Sequence, residues 1–515
     1  MNLFFDIPKV LQIDVLARWL ETVDAANLDS ATTSHRKFHH ELLGLLKSPE
    51  CILGFIDFAS EGAFDWVILR KVKLLKVCVS CKFMCDEASQ AAIVQTIGAT
   101  LQSLNINNVR CNSCYEAKTA RSAAQLLIEL SHHCRGLATL RFRDMALDAT
   151  ALALISAFQN SLANVCVTRC LGISTEFMHR IYQIPGLKKV EITGCSGIAN
   201  LIAFSTVANT SCTSLIMLEN VFINLPNVRI ATLLPNLRVL VLSLGQNEDL
   251  LQIAAHCPLV EHAHIVLAHS LSYEHASFVA QKWQHIRELH LLMTHVGFVA
   301  DALAPLIDRC LSLEYLTFLP FEAVTTTFRH AQINAPGSMS HLQELTVGRL
   351  HRDTLREIVE KCPYLHTLCI YCEDFRHVNP TIPHKESPLA SLHLLNNSSI
   401  KTLCMTKCMN VLTEDLVKLR TIEKLVLRSV GTRDSLSVQG IVEFVQQCPT
   451  LHTLHIHNCP GIDHTVVLKV LRVATQLRDF AFTAYHNHAA CPALSMVKFL
   501  VMVMYPQLHS FQIVC

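Results

Sequence analysis

The chain has few glycines, few aromatic residues and little charge for its length of 515 residues. It has only 16 glycines, and no glycine-rich phosphate loop, Ser-His-Asp order or zincin motif is present. The 43 Lys and Arg residues balance 42 Asp and Glu, so no charge excess favours a nucleic-acid partner. Charge, proline or histidine interrupts every apolar run before the ~18 residues of a membrane span, and no signal peptide is recognisable. We therefore expect no catalytic residue, no cofactor, no nucleic-acid partner and no membrane insertion.

What the chain does contain is a repeated apolar frame, in a composition that is 51% hydrophobic and includes 22 cysteines. The stretch from Gln447 to Cys459, QCPTLHTLHIHNC, recurs in rewritten form at 134–142, 309–318 and 361–370. Its frame is Cys-x-x-Leu-x-x-Leu-x-Leu-x-x-Cys/Asn, which is close to the consensus of leucine-rich repeats. Successive frames are mostly about 20–30 residues apart, the spacing expected of such repeats.

The repeat alternates between two periodicities, and this alternation predicts the fold class. Within a frame, apolar and polar side chains alternate as in a strand, with Leu454 inward and His455 outward. Between frames the spacing becomes helical, as at Leu355, Ile358 and Val359, and a proline follows the predicted helix end. Strand, turn and helix in this order predict an α/β leucine-rich-repeat solenoid, with a parallel sheet on the concave side and helices on the convex side.

Many cysteines fall at two recurring positions of the frame. One set lies three residues before the first frame leucine and the other eight residues after it: Cys134, Cys212, Cys257, Cys310, Cys362 and Cys448, then Cys170, Cys195, Cys408 and Cys459. Because buried cysteine behaves as a small hydrophobic side chain, these positions favour packing over a disulfide framework. We expect reduced thiols, in the cytoplasm or the nucleus.

Two Cys-x-x-Cys pairs, Cys78/Cys81 and Cys111/Cys114, form the strongest metal-like pattern in the sequence. Four thiolates suit a structural zinc ion. The separation of the pairs exceeds the usual gap of roughly 15–20 residues, and both pairs follow predicted repeat strands, where cysteine already packs. We assign no metal site, and the sequence leaves open whether these four residues bind one.

Residues 1–50 lack the frame and predict three short helices. The first starts near Pro8, and Asp24 and Ser34 are candidate N-caps of the second and third. Three helices in about 45 residues cannot enclose an adequate core alone, so they must dock on the first repeats, on a partner, or on both. We expect this helical segment at residues 1–50, a linker or first-repeat cap at 51–71, and the solenoid at 72–515.

The helical segment resembles a divergent F-box. The resemblance is carried by the apolar-proline step at Ile7-Pro8, by Leu11 and Leu16, and by a basic and an aromatic residue at Arg36 and Phe38. The repeats look like the cysteine-containing leucine-rich repeats that often follow an F-box. The resemblance implies a substrate receptor, in which the F-box binds the Skp-type adaptor of a cullin-based ubiquitin ligase and the repeats hold a protein substrate. The implied adaptor-binding residues are Ile7, Pro8, Leu11, Leu16, Trp19, Leu20, Leu28, Arg36 and Phe38.

The outward positions of the predicted strands define a candidate partner-binding face with side chains of both charge signs. Tyr and Arg, which are frequent at interface hot spots, are among them, and this mixture favours a protein partner over a polyanion. The predicted contact residues are Arg141, Arg143, Lys189, Glu191, Glu288, His290, Tyr315, Glu344, Tyr371, Lys424, Arg428, His455 and His457. Three readings stay open: a ubiquitin-ligase substrate receptor, a repeat scaffold or inhibitor whose helical segment only caps the repeats, and an enzyme or small-molecule receptor.

Overall fold

The computed structural model of the chain describes most of its strands and the helices beside them. The described residues are 8–18, 22–48, 51–57, 66–67, 69–80, 99–107, 133–145, 147, 149–195, 210–218, 234–269, 271–293, 305–306, 309–320, 341–348, 352–371, 392–408, 411–432, 435–483, 505, 508 and 510–514. Contacts group the chain into two compact units, residues 1–242 and 243–515.

The first unit begins with three helices and continues as a parallel sheet. Its described helices are α1 (Lys9–Arg18), α2 (Thr22–Thr32), α3 (Arg36–Leu46), α4 (Ala149–Phe158) and α5 (Thr175–Tyr182). Its strands are β1 (Ile52–Asp57), β2 (Lys73–Ser80), β3 (Ser103–Asn107), β4 (Thr139–Arg143), β5 (Asn164–Thr168), β6 (Lys189–Thr193), β7 (Ser214–Leu218) and the start of β8 (Val239–Leu244). Each strand pairs in parallel with the next along the chain.

The second unit repeats the same strand-to-strand pairing. Its strands are β9 (His262–Leu267), β10 (Glu288–Met293), β11 (Tyr315–Pro320), β12 (Glu344–Val347), β13 (Thr367–Tyr371), β14 (Thr402–Thr406), β15 (Lys424–Arg428), β16 (Thr453–His457), β17 (Asp479–Thr483) and β18 (Ser510–Val514). Its described helices are α6 (Asn247–His256), α7 (Tyr273–Lys282), α8 (Arg352–Lys361), α9 (Thr413–Val417), α10 (Val438–Gln447) and α11 (Thr465–Val473), with a 3₁₀ helix at Leu392–Asn397. All pairs from β9 to β18 are parallel.

Alternation along each strand builds the core. Leu368, Leu403, Leu425 and Leu454 are register partners on successive strands, and each is fully buried. Such stacking gives every repeat an apolar layer against both neighbours. The predicted fold class is therefore confirmed: each unit has the strand–turn–helix repeat of leucine-rich repeats.

Serine and cysteine residues mark the ends of several helices beside the strands. The hydroxyls of Ser174, Ser272 and Ser437 accept hydrogen bonds from the third residue beyond them and cap α5, α7 and α10. Cys257 and Cys448 occupy the C-cap positions of α6 and α10. Both are buried, as are Cys134, Cys310 and Cys362 at the corresponding positions of other repeats, in agreement with their prediction as packing sites.

A second cysteine position stabilises the turn after four of the described strands. Asp144, Arg169, Lys407, Ser429 and Asn458 directly follow their strands with φ between 51° and 55°. The left-handed conformation turns the chain out of the sheet. Two residues beyond a strand end, the buried thiols then bond back to that strand's last carbonyl group; they belong to Cys170, Cys195, Cys408 and Cys459.

The sequence frame is wrong at one repeat. The position of Cys212 three residues before a frame leucine predicts Leu215 as that leucine, but Leu215 pairs with Val190 and Leu240 inside the strands. The buried Cys212 instead takes the place that Leu187 occupies in the preceding repeat. Because a cysteine stands where the frame has leucine, the pattern of leucines places the frame of this repeat three residues too late.

The predicted N-caps of the helical segment are also wrong. Helix α2 begins at Thr22, so Asp24 lies in its first turn, where an acidic side chain is equally favourable. The N-cap of α3 is His35 rather than Ser34. Strand β1 precedes the first predicted frame and pairs with β2. The division of the chain at residues 50 and 71 remains a prediction. Among the described residues, no helix is both long and apolar enough to cross a bilayer.

Candidate functional site

The outward side chains of each unit's strands form what we call its open face. In the first unit, Lys189 Nζ lies 2.8 Å from Glu191 Oε2. The Cys166 thiol donates to the same carboxylate oxygen over 3.7 Å. Burial, followed by the charge of Glu191, raises the pKa of Cys166 to about 11. Arg141 and Arg143 are exposed on the neighbouring strand. This part of the open face is therefore a basic patch around one carboxylate, that of Glu191, which is paired with Lys189.

The first turns beyond the strands extend this patch. Arg169 Nη2 lies 2.6 Å from Asp144 Oδ2, and Arg143 Nε lies 3.4 Å from the same atom. Both residues of the closer pair follow strand ends in the left-handed conformation. These two residues were missed by the sequence reading because they lie one position beyond the frame.

Histidines and one carboxylate form a cluster on β9 and β10 of the second unit. His262 Nδ1 and His290 Nε2 lie 2.9 Å and 2.7 Å from the two oxygens of Glu288. Hydrogen bonds from His290, and then from His262, lower the pKa of Glu288. The rings of His264 and His290 are tilted by 45° with their centroids 5.5 Å apart, and burial followed by the His290 charge lowers the pKa of His264. The cluster therefore contains both hydrogen-bond acceptors and hydrogen-bond donors. Among the residues that the structure describes, no group of side chains is arranged to hold a metal ion.

A second histidine group lies on β16 and β17. His455 Nε2 is 2.9 Å from Asp479 Oδ2, and His457 Nδ1 is 2.9 Å from the Thr483 hydroxyl. Burial, then the charges of His455 and Arg428, lowers the pKa of His457. Asp479 is a partner that the sequence pattern did not single out. The repeat spacing could have identified it, because Asp479 begins β17 in register with Thr453, the first residue of β16.

All thirteen residues predicted for the partner-binding face lie on strands, at half-buried or exposed positions. Tyr315 is 39% exposed, and Lys407 lies 5.3 Å above the ring of Tyr371. Glu344 and Lys424 are the first residues of β12 and β15, and Arg428 is the last residue of β15. Four of these residues lie on strands of the first unit and nine on strands of the second. That any of them contacts a partner remains a prediction.

The helical segment has one buried and one open side. Leu16 is fully buried, whereas Pro8 is exposed and the side chain of Leu11 is 52% exposed. Arg36 is exposed, and Leu28 and Phe38 are half-buried. The remaining adaptor-binding candidates, Ile7, Trp19 and Leu20, lie outside the described residues. Helix α1 thus packs through one face and presents the other to solvent.

A buried carboxylate anchors α2 beside the first repeat. Asp29 Oδ2 accepts hydrogen bonds from Trp66 Nε1 at 2.8 Å and from Arg70 Nε at 2.9 Å. Its other oxygen lies 3.3 Å from His39 Nδ1, which is within ion-pair reach. The carboxylate is 4% exposed and Arg70 is 23% exposed. Helices α1 and α2 also pack against β1. The segment is therefore docked on the repeats.

Only one residue of the two Cys-x-x-Cys pairs can be placed. Cys78 is buried on β2, where Asn105 Nδ2 donates to its sulfur over 3.4 Å. Cys81, Cys111 and Cys114 lie outside the described residues, so the question of a metal there stays open.

Comparisons with known proteins show similarity of backbone only. No family model matches the sequence, and no curated protein matches it. Among solved structures, the complex of TLR13 with ssRNA13 aligns with a TM-score of 0.43 and 10% identity, over 90% of this chain and 65% of that chain. The complex of Rad7 and Elc1 in yeast aligns with a TM-score of 0.27 and 12% identity, over 95% and 88% respectively. The chain therefore spans less than two thirds of TLR13. The assignment to leucine-rich repeats rests on the strand–turn–helix repeat within each unit.

Proposed function

We propose that the chain is the substrate-recognition subunit of an SCF-type ubiquitin ligase. In this proposal the helical segment binds a Skp-type adaptor and, through it, a cullin, while the open face binds a protein substrate. The chain supplies binding and no chemistry of its own, and it acts in the cytoplasm or the nucleus.

The observation that carries the proposal is the two-sided packing of α1. Leu16, Ile13 and Gln12 are buried beneath the helix, yet Pro8 and Leu11 remain outside this packing. A helix that served only to cover the first repeat would gain nothing from an exposed leucine at its start. An apolar helix start that is open to solvent suits a partner that brings its own apolar groove.

The open face supports a protein partner. The open face of each unit carries arginines and carboxylates, and that of the second unit also carries Tyr315; Tyr and Arg are enriched among interface hot spots. Charges of both signs, several of them paired within the face, favour a partner with complementary charges of both signs.

One observation favours the second candidate function, a repeat scaffold or inhibitor with a helical cap. The contacts of Asp29 with Trp66 and Arg70 fix α2 against the residues that lead into β2. Terminal repeats of solenoids need such covering. The cap and the proposed adaptor site use different sides of the helical segment. A segment that caps the repeats can therefore also bind an adaptor.

The deciding experiment is a titration of the purified full-length chain with a purified Skp-type adaptor. The variant Pro8→Ala/Leu11→Ala should raise the Kd at least about tenfold, because hot-spot truncations cost more than 1.4 kcal/mol. The matched control is Leu171→Ala, which truncates another exposed leucine of the same unit (59% exposed). It should bind as the wild type does.

Substrate binding is tested by the reciprocal variant. Tyr315→Ala should retain the adaptor and lose proteins that co-purify with the wild type. A wild-type chain that fails to bind the adaptor would eliminate the ligase proposal and leave the scaffold. An equal loss of adaptor binding in Leu171→Ala would show that the effect is not specific to α1.

A further inference from the structure

Two cysteines differ from all others in the described part of the chain. Thirteen of the fifteen described cysteines are buried, whereas Cys369 and Cys404 are half-exposed. They lie at the central outward positions of β13 and β14, where they are direct register partners. Register pairing places their side chains next to each other on one face of the sheet, and a hydrogen bond between the thiols shifts their pKa values in opposite directions. Two partly exposed cysteines are therefore neighbours on the open face of the second unit.

The surroundings of the two sulfurs are asymmetric. The register partner of Cys404 on the next strand is Val426, so Lys424 and Arg428 flank Cys404 diagonally. On the other side, the partner of Cys369 is Thr346, and Glu344 is the corresponding diagonal neighbour. The hydrogen bond from Cys369, followed by these two cations, lowers the pKa of Cys404. The same hydrogen bond, followed by burial, raises the pKa of Cys369. Cys404 is therefore the nucleophile of the pair and Cys369 its proton-bearing partner.

We propose that Cys369 and Cys404 form a peroxide-sensitive dithiol that closes reversibly to a disulfide between β13 and β14. The inference goes beyond the proposed function and does not depend on the identity of any partner.

The reaction balances with hydrogen peroxide as the oxidant. The Cys404 thiolate attacks one peroxide oxygen and the O–O bond breaks, which leaves a sulfenic acid on Cys404 and a hydroxide ion that takes up a proton. Cys369 then attacks that sulfur while its proton goes to the departing hydroxyl group. The S–S bond forms, the S–O bond breaks and a second water leaves. The two thiols lose two electrons in total, and the peroxide gains them.

The sheet geometry permits closure and favours reversal. Neighbouring strands are about 4.7–4.9 Å apart, which lies within the 4.4–6.8 Å range of Cα separations in disulfides. Both cysteines are partly exposed, so a reducing dithiol can reach the bond, and exposed disulfides are the more easily reduced class.

The test exposes the full-length chain to equimolar hydrogen peroxide, blocks remaining thiols and maps linkages by mass spectrometry of peptides. We expect a Cys369–Cys404 linkage whose mass is lower by two hydrogen atoms and which disappears on treatment with dithiothreitol. In Cys369→Ser, the sulfenic acid should persist on Cys404 and react with dimedone. In Cys404→Ser, Cys369 should take up no dimedone at the same peroxide dose.

Two control variants keep the assignment specific. Cys166 occupies the equivalent central position on β5, but it neighbours a carboxylate instead of a second thiol. Its variant Cys166→Ser should form the linkage at the wild-type rate. Cys372, which lies outside the described residues, is removed in Cys372→Ser, and the linkage should again form. A Cys369–Cys372 linkage, first oxidation at Cys369, or oxidation of Cys166 as fast as Cys404 would each overturn the proposal.

Discussion

Removing the carboxylate of Asp29 is expected to release the helical segment locally. Asp29 Oδ2 accepts hydrogen bonds from Trp66 at 2.8 Å and from Arg70 at 2.9 Å, in a site where the carboxylate is 4% exposed. Asp29→Ala leaves the indole N–H and the guanidinium group without this acceptor. Because solenoid repeats contact only their neighbours, the loss should appear as local opening of residues 22–46 and not as global unfolding.

The magnitude follows from the two contacts. A hydrogen bond to a charged group contributes about 1.5–3 kcal/mol, and breaking a buried ion pair costs about 3–5 kcal/mol. Arg70 is 23% exposed and recovers some hydration, so we expect a total of about 2–4 kcal/mol. At 1.36 kcal/mol per tenfold change, amide exchange in residues 22–46 should accelerate roughly 30- to 900-fold.

The assay is hydrogen exchange by mass spectrometry on the full-length chain. The matched control is Glu41→Ala, which removes an exposed acidic side chain from α3; its exchange should stay near that of the wild type. A double-mutant cycle with Arg70→Ala should give a coupling energy of about 0.5–3 kcal/mol. Exchange in Asp29→Ala within threefold of the wild type, or equal to that of Glu41→Ala, would refute the view that this carboxylate anchors the segment.

Two further predictions concern the second unit. Gly461→Ala should lower the melting temperature, by the equivalent of about 1–3 kcal/mol, because an added Cβ would collide with the backbone oxygens of Leu436 and Thr432. Gly136→Ala, whose Cβ would meet nothing within 4 Å, is the control and should be neutral. The pKa of Glu288 is lowered in the folded chain, so its stabilising effect is present above its unfolded pKa and disappears as the pH falls through the folded value. The melting-temperature difference between wild type and Glu288→Gln should therefore shrink as the pH falls below the unfolded pKa of glutamate, about 4.3; a constant difference down to pH 3 would contradict it.

The sequence predicts the fold because the repeat is encoded locally. The strands that begin at Thr367 and Thr453 follow the first frame leucines Leu365 and Leu451 by two residues. The alternation of apolar and polar side chains and the end of the preceding helix define each strand within about ten residues. The frame fails where a cysteine replaces its leucine, at Cys212, because the pattern then offers a second register. Composition and the spacing of the repeats thus predict the architecture, whereas a single substitution in the frame can misplace the predicted strand of one repeat.

The side-chain partners could not be predicted to the same degree. His262 and Glu288 are 26 residues apart, and their contact depends on register between two repeats. Asp29 reaches Trp66 and Arg70 across 37 and 41 residues with no frame to align them. The Asp29 contacts need the three-dimensional arrangement of segments that carry no common period, so spacing in the sequence contains no signal for them.

The geometry of α1 changes what a stability measurement can decide. If Pro8 and Leu11 were part of a cap, replacing them with alanine would bare apolar surface and lower the melting temperature. Both are exposed, however, while Leu16 supplies the buried contact. Truncating exposed side chains usually changes stability by less than about 0.5 kcal/mol, so neither function predicts a large melting shift for this pair. Binding of the adaptor must therefore be measured directly. Leu16→Ala, by contrast, should destabilise the segment under either function, because it leaves a cavity beneath the helix.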